Sequence, residues 1–289
     1  MKKVKWVIDK NMFEDYEDRL VEAIKRSGAE VHFYDDQRNI PVDSFLRKNF
    51  DNMNDIVIFH GSLQHGRSVL KSPYYPGIYL ELANYECSKY YGYFGEYLLN
   101  SNYMMMGLND VLRNKNRIFG RFGTDSIFIR PSNGYKSFPG QLLPYTNFDQ
   151  EFDITTKSYG GLDLDVLSVV SPVVDIEEEY RFIVVDGKVV SGSLYMDKDN
   201  RKTFSAYYDR YCGDEIAWRF AEEMAKIYQP DKAYTIDVCR LSSDEYKLIE
   251  LNSFCCGSMY GNDYDEVVKA VNECCRADFE DVFFSGPSN

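Results

Sequence analysis

No apolar stretch in this chain is long enough to span a membrane. Lys2 and Lys3 precede an apolar run of only Val4 to Ile8, interrupted by Lys5, which is too short for the core of a signal peptide. The cytoplasm is therefore the expected compartment, with no membrane partner. Positive charge is scarce as well: 33 Lys and Arg stand against 46 Asp and Glu, a formal net charge of -13. A field of that sign repels a polyanion and argues against a nucleic-acid partner, although a small site can differ in sign from the whole. No Gly-x-Gly-x-x-Gly follows the first apolar run, so the dinucleotide fingerprint is missing. There is no internal repeat and no low-complexity linker. The seven cysteines (Cys87, Cys212, Cys239, Cys255, Cys256, Cys274 and Cys275) make an odd count, a poor disulfide framework. The adjacent pairs also suit a zinc site badly, because neighbours on a strand point to opposite faces. Buried free thiols are the expectation.

What is present is enough for a sizeable core: 289 residues with 44 % hydrophobic content, one large domain or two small ones. The first third alternates strand and helix. Val4 to Ile8 reads as a strand, and Phe13 to Ser27 as a helix through Phe13, Tyr16, Leu20 and Ile24, ended by Gly28. Glu30 to Tyr34 and Asp55 to Phe59 read as further strands, so a small parallel sheet is expected. Tyr74 to Tyr103 is rich in tyrosine, and core packing is favoured there over an aromatic wall for a substrate. A helix is expected through Leu108 to Arg113, and strands at Ile127 to Arg130 and Val166 to Val174. Asp186-Gly187 between two β-branched runs marks a hairpin. A helix from about Asp214 to Tyr228, strands at Tyr234 to Leu241 and Tyr246 to Ser253, and a closing helix through Asp265 to Cys275 complete the reading.

The stretch "AYTIDVCRLSSDEYKLIELNS" carries the most chemistry. Read as a hairpin centred between Ser243 and Asp244, it sets Ile236 opposite Leu251 and Val238 opposite Ile249 on one apolar face. The same register sets Asp237 opposite Glu250, and Thr235 opposite Asn252, on the other face. Like charges so placed cost roughly 0.2–1 kcal/mol. A divalent cation reverses the sign. Cross-strand β-carbons lie about 4.5–5.5 Å apart, within reach of one ion, and carboxylate and amide oxygens suit Mg²⁺. The competing reading is a slip of one residue in an odd-length turn, which would leave one carboxylate solvated at a sheet edge.

Two further segments bear on it. In "FIRPSNGYKSFPG", Arg130 closes an apolar strand, and the loop offers Ser132, Asn133, Gly134, Lys136, Ser137 and Gly140. Such a loop can turn backbone N–H groups and a lysine toward phosphate, or can be an ordinary solvated turn. In the Asp186-Gly187 hairpin, Glu179 and Arg181 share a face. That pair suits a ribose and a phosphate, or is a surface ion pair of little worth.

Taken in this order, "FIRPS.GYKSF.G", "EYRF.V.DGKVVSGS" and "IDVC…IELN" resemble segments of the ATP-grasp superfamily, in a branch found in bacteria and their phages. The resemblance implies an α/β and α+β fold: a Rossmann-like domain over 1–105, a nucleotide-clamping subdomain over 106–195 and a metal-binding subdomain over 196–289. It implies ATP and Mg²⁺, with Asp237, Glu250 and Asn252 as metal ligands. Arg130, Lys136, Ser137 and Arg181 would be phosphate contacts, Glu179 the ribose contact, and the strand Val169 to Val174, Val170 included, the adenine slot. Arg181 and Lys136 would assist catalysis directly, with Arg240 and Lys202 as weaker candidates for orienting substrate. Arg130 departs from the lysine usual in the superfamily, and Tyr135 and Lys136 alter the glycine-rich flap. The implied activity is ATP-dependent joining of a carboxylate to an amine, on small-molecule or peptide substrates. Phosphotransfer on the same site and an inactive nucleotide-binding module are the alternatives. No protein nucleophile is required, so Cys239 and His60 are expected to be structural.

Overall fold

A computed structural model describes residues 2–10, 12, 14–35, 40–158, 162–198 and 210–284. Among these, no helix is long and apolar enough to cross a membrane. Three sheets organise the described residues. The first is parallel, in the order β2-β1-β3-β4, from β1 (Val4–Asp9), β2 (Glu30–Tyr34), β3 (Ile56–His60) and the short β4 (Tyr75–Gly77). Helix α1 (Glu14–Arg26) links β1 to β2 and ends where Gly28 takes φ +78°, the left-handed conformation that a helix stop favours. Phe13, expected to open that helix, lies outside the described residues. Two short helices, α2 (Val42–Asn49) and α3 (Leu63–Val69), follow β2 and β3.

The tyrosine-rich run begins helix α4 (Cys87–Phe94), which buries Tyr90, Tyr91 and Phe94 and leaves Tyr93 exposed. Core packing thus accounts for most of it. The second sheet has the order β5-β8-β6-β7, built from β5 (Met104–Gly107), β6 (Ser126–Pro131), β7 (Gln141–Pro144) and β8 (Leu167–Pro172). Helices α5 (Leu108–Phe122) and α6 (Phe148–Ser158) supply its core partners, including Ile118, Phe119, Phe148 and Phe152.

The third sheet, β11-β10-β9-β12-β13, is antiparallel throughout. It contains β9 (Ile176–Val185), β10 (Lys188–Asp197), β11 (Arg210–Tyr211), β12 (Ala233–Leu241) and β13 (Tyr246–Ser253). Asp186 and Gly187 join β9 to β10 with φ +49° and +73°, the twist-matched turn expected of that dipeptide. Because β9 pairs with β10 on one side and β12 on the other, a boundary at residue 195 falls inside this sheet. Helix α7 (Glu215–Ile227), capped by the Asp214 side chain, covers the face bearing Tyr234, Ile236 and Val238. Helix α8 (Tyr264–Phe284) returns to the first sheet, where Trp6 Nε1 donates to Asn272 at 2.8 Å. All seven cysteines are free, six of them buried and Cys256 partly so.

Candidate active site

The β12–β13 hairpin turns about Ser243, one half-step from the expected centre, with Leu241 paired to Glu245 and Asp244 at φ +62°. From Val238 outward to the turn the pairing is therefore shifted: Val238 faces Leu248, not Ile249. A bulge between Asp237 and Val238 takes up the extra residue, and beyond it Asp237 faces Glu250, Ile236 faces Leu251 and Thr235 faces Asn252. The apolar face is consequently Ile236, Val238, Leu248 and Leu251, with Ile249 displaced from it. The odd-length turn and the facing carboxylates coexist.

Those carboxylates are held by three cations from two other segments. Arg181, opposite Asp237 on β9, donates from Nε to Oδ1 at 2.7 Å and from Nη2 to Oδ2 at 2.6 Å. Its remaining Nη1 donates to the Ser258 carbonyl at 3.1 Å, and its guanidinium lies 4.8 Å from the centre of the Tyr260 ring. Arg130, at the end of β6, donates to Glu250 Oε2 at 2.6 Å, and Lys136 to Oε1 at 3.3 Å. Asn252 Nδ2 bridges the pair, reaching Glu250 Oε1 at 2.9 Å and Asp237 Oδ2 at 3.2 Å.

Burial works on Asp237, Glu250, Arg181 and Arg130. It raises the Asp237 carboxyl above its ordinary value, against the opposing pull of Arg181. Burial would raise Glu250 too, but Lys136, Arg130, Asn252 and Arg181 together bring it well below the carboxylate range. The guanidinium of Arg181 loses hydration on burial and regains more from Asp237, so its proton is held more tightly than usual. Arg130 follows the same rule, with Glu250 as the compensating charge.

The loop after β6 is moored on both sides. Ser132 accepts the backbone N–H of Cys87 on its carbonyl and that of Ser88 on its hydroxyl. Asn133 and Ser137 bond to each other, Phe138 is buried, and Lys136 takes φ +50°. A β-carbon at Gly134 would sit 2.6 Å from the Leu82 carbonyl oxygen, so only glycine fits that approach. Arg67 of α3 covers the Tyr135 ring at 4.4 Å.

Glu179 accepts a hydrogen bond from the Tyr195 hydroxyl at 2.9 Å. Tyr195 occupies the bulge between Leu194 and Met196 and stacks on Tyr260, 4.6 Å between centroids. Tyr195, Tyr260, Ser258 and Arg67 were not anticipated. Tyr195 depends on a bulge that period-2 reading cannot see, and the others come from distant segments. Val170 is not brought to this site. Arg130 pairs with Val169, so Val170 on the alternate face is packed into the core of the second sheet. Arg240 lies three residues beyond Asp237, on the other face of β12, and is engaged by Glu178 and Asp244. Cys239 is buried and bonds to the Lys247 carbonyl, and His60 is buried. Lys202 lies outside the described residues.

Among the described residues no cluster of three His, Cys, Asp or Glu is arranged for a metal, so a cation site rests on two carboxylates and an amide. Magnesium fits that donor set. All three residues offer hard oxygens, and the buried Asn252 Oδ1 accepts no hydrogen bond among the described residues.

Residues 114–270 match the family model described as "ATP-grasp domain, R2K clade family 2". The chain belongs to the ATP-grasp domain family. Among solved structures it is similar to the D-cycloserine synthetase DcsG, with TM-score 0.62 and 12 % identity over 94 % of this chain and 99 % of that one. It is similar to the D-alanyl-alanine synthetase A of Vibrio cholerae, with TM-score 0.62 and 10 % identity over 96 % and 99 %. The ATP-grasp ligase PsnB, complexed with minimal precursor, Mg and ADP, aligns with TM-score 0.57 and 10 % identity over 94 % and 97 %. At such identities these likenesses establish the fold: mixed α/β with several sheets, as in ATP-grasp ligases. Comparison with curated proteins finds no match.

Proposed function

We propose that the chain is an ATP-dependent carboxylate–amine ligase that forms an amide or peptide bond through an acyl phosphate, releasing ADP and phosphate. The observation that carries this reading is the convergence of Arg130, Lys136 and Arg181 on Asp237 and Glu250, with Asn252 between them. Three cations against two carboxylates leave the pocket short of negative charge, which a nucleotide's phosphates would supply. The facing carboxylates and Asn252 Oδ1 would hold Mg²⁺. When bound, that ion offsets charge on the γ-phosphoryl group.

The remaining work belongs to this chain's residues. Arg130, Lys136 and Ser137 bind phosphate oxygens, the first two exchanging Glu250 for the nucleotide. Arg181, fixed by Asp237 and the Ser258 carbonyl, aligns the γ-phosphoryl group. Glu179 takes the ribose hydroxyls, and β8 lines the adenine slot with Val169 rather than Val170. A substrate carboxylate oxygen then attacks the γ-phosphorus and ADP leaves. Next an amine attacks the acyl carbon, and phosphate departs as the amide forms. Both steps rely on alignment and charge stabilisation, with no protein nucleophile.

The same reading divides the chain into a Rossmann-like unit carrying the parallel sheet, a clamping subdomain around the second sheet and a metal-binding subdomain around the third. It takes the cytoplasm as the working compartment, small-molecule or peptide substrates as partners, and no nucleic acid. The test is ADP release from MgATP with pooled amino acids or peptides, for wild type and Asp237→Asn. Amine-dependent release that falls at least tenfold in the variant, about 1.4 kcal/mol of barrier, is expected. Release indifferent to amines would indicate phosphotransfer instead, and ATP binding without turnover an inactive module.

A further inference from the structure

Thr235 precedes Asp237 by two residues on β12, so both side chains leave the same face of the strand. It is 1 % exposed, and its Oγ1 has no hydrogen-bond partner among the described residues. Its cross-strand partner is Asn252, whose Oδ1 is likewise buried and unpartnered. On the other side it faces Ile183, an apolar residue of the core. Valine has nearly the shape of threonine, so packing alone gives no reason for a hydroxyl here. A buried polar atom without a protein partner is costly unless water or an ion satisfies it.

Two such oxygens stand side by side at the edge of the candidate cation site. Cross-strand β-carbons are about 4.5–5.5 Å apart. Magnesium keeps several of its waters when protein carboxylates bind it. Such a water is a strong donor, and the Thr235 hydroxyl oxygen can accept. We propose that Thr235 is a positioning residue for the cation: its Oγ1 accepts a hydrogen bond from a water of the ion's hydration shell, beside Asp237 and Asn252. This rests on the reading of Asp237, Glu250 and Asn252 as the cation site, and adds a residue that supports the ion without touching it. Groups in that position commonly change metal affinity 10- to 100-fold, roughly, when removed.

The test measures Mn²⁺ binding in the presence of ADP, from the electron paramagnetic resonance signal of free Mn²⁺. The proteins are wild type, Thr235→Val and Thr235→Ser, each with its thermal unfolding midpoint. Thr235→Val is expected to weaken Mn²⁺ binding at least fivefold while its midpoint stays level or rises, since an unpaired buried hydroxyl has been removed. Thr235→Ser is expected to restore binding to within twofold of wild type. Unaltered Mn²⁺ binding in Thr235→Val overturns the inference while leaving the ligase reading standing. So does a lowered midpoint with unaltered binding, the mark of a purely structural water. Failure of the serine to restore binding overturns it as well. Absence of Mn²⁺ binding by wild type with ADP removes the site reading and this inference together.

Discussion

Arg181 on β9 and Asp237 on β12 stand directly opposite each other and share two hydrogen bonds, at 2.7 and 2.6 Å, with neither side chain more than a tenth exposed. Such a pair is worth little compared with apolar residues of equal volume, because both ions lose their hydration. Breaking it is another matter. Arg181→Met leaves a carboxylate buried without its counter-charge and is expected to cost about 3–5 kcal/mol in urea unfolding. The double variant Arg181→Met/Asp237→Leu is expected to recover most of that stability while losing all activity. A single substitution costing less than about 1 kcal/mol would contradict the burial argument. Retention of so delicate a pair in the middle of the sheet is what function, rather than stability, explains.

The close approach of Gly134 to the Leu82 carbonyl ties the cationic loop to the first third of the chain. Gly134→Ala puts a β-carbon 2.6 Å from a backbone oxygen that cannot swing aside. The loop must lift, carrying Lys136 away from Glu250. Affinity for ADP, measured by titration calorimetry, is expected to fall severalfold with a modest loss of global stability, on the order of 1–3 kcal/mol. Undiminished affinity would mean that the loop's mooring does not matter to nucleotide binding.

Much of this site was legible because its chemistry is local in sequence. Asp186-Gly187 announces its turn, and the alternation along β12 and β13 puts Asp237 and Glu250 on one face from pattern alone. The pattern could not show that the turn is odd and that the bulge beside Asp237 cancels it, because the two shifts leave the same pairing beyond them. Sheet membership was harder still. Residues 176–185 join β12 through pairing across at least 48 positions, from Val185 with Ala233 to Ile176 with Leu241, which no local window contains. Tyr195, Tyr260 and Arg67 reach the site through a bulge, a left-handed backbone and a ring contact, none of which has a sequence period. The short α2 and α3, of eight and seven residues, escaped because about two turns carry too little pattern.

His60, at the end of β3, gives the fold a pH dependence separate from the nucleotide site. Burial lowers its pKa from 6.5 to about 4, with Asp9 opposing in part. A depressed folded value means that the unfolded chain takes up a proton first as the medium acidifies. The stability that His60 contributes is complete above about pH 6.5 and is lost as pH falls toward 4. Between those values wild type is expected to lose roughly 2–4 kcal/mol more than His60→Asn, read from urea unfolding at each pH. Parallel pH profiles for the two proteins would show that the imidazole stays neutral in the unfolded chain as well, or is never fully buried.

The charge balance of the site sets an order for its ligands. Glu250 already accepts from Arg130 at 2.6 Å and Lys136 at 3.3 Å, and Asp237 is doubly bonded to Arg181, so a free divalent cation meets carboxylates that are neutralised in advance. On the proposed assignment, a nucleotide's phosphates would reverse this by drawing Arg130 and Lys136 off Glu250. Mn²⁺ is therefore expected to bind at least tenfold more weakly without ADP than with it, a coupling of about 1.4 kcal/mol. Reciprocity requires ADP to bind correspondingly more weakly when the metal is chelated, yet still measurably, because the cations remain. Lys136→Met removes one competitor for Glu250 and one phosphate contact. Its Mn²⁺ affinity without nucleotide is expected to rise while its ADP affinity falls, two shifts of opposite sign that a general loosening of the fold would not produce.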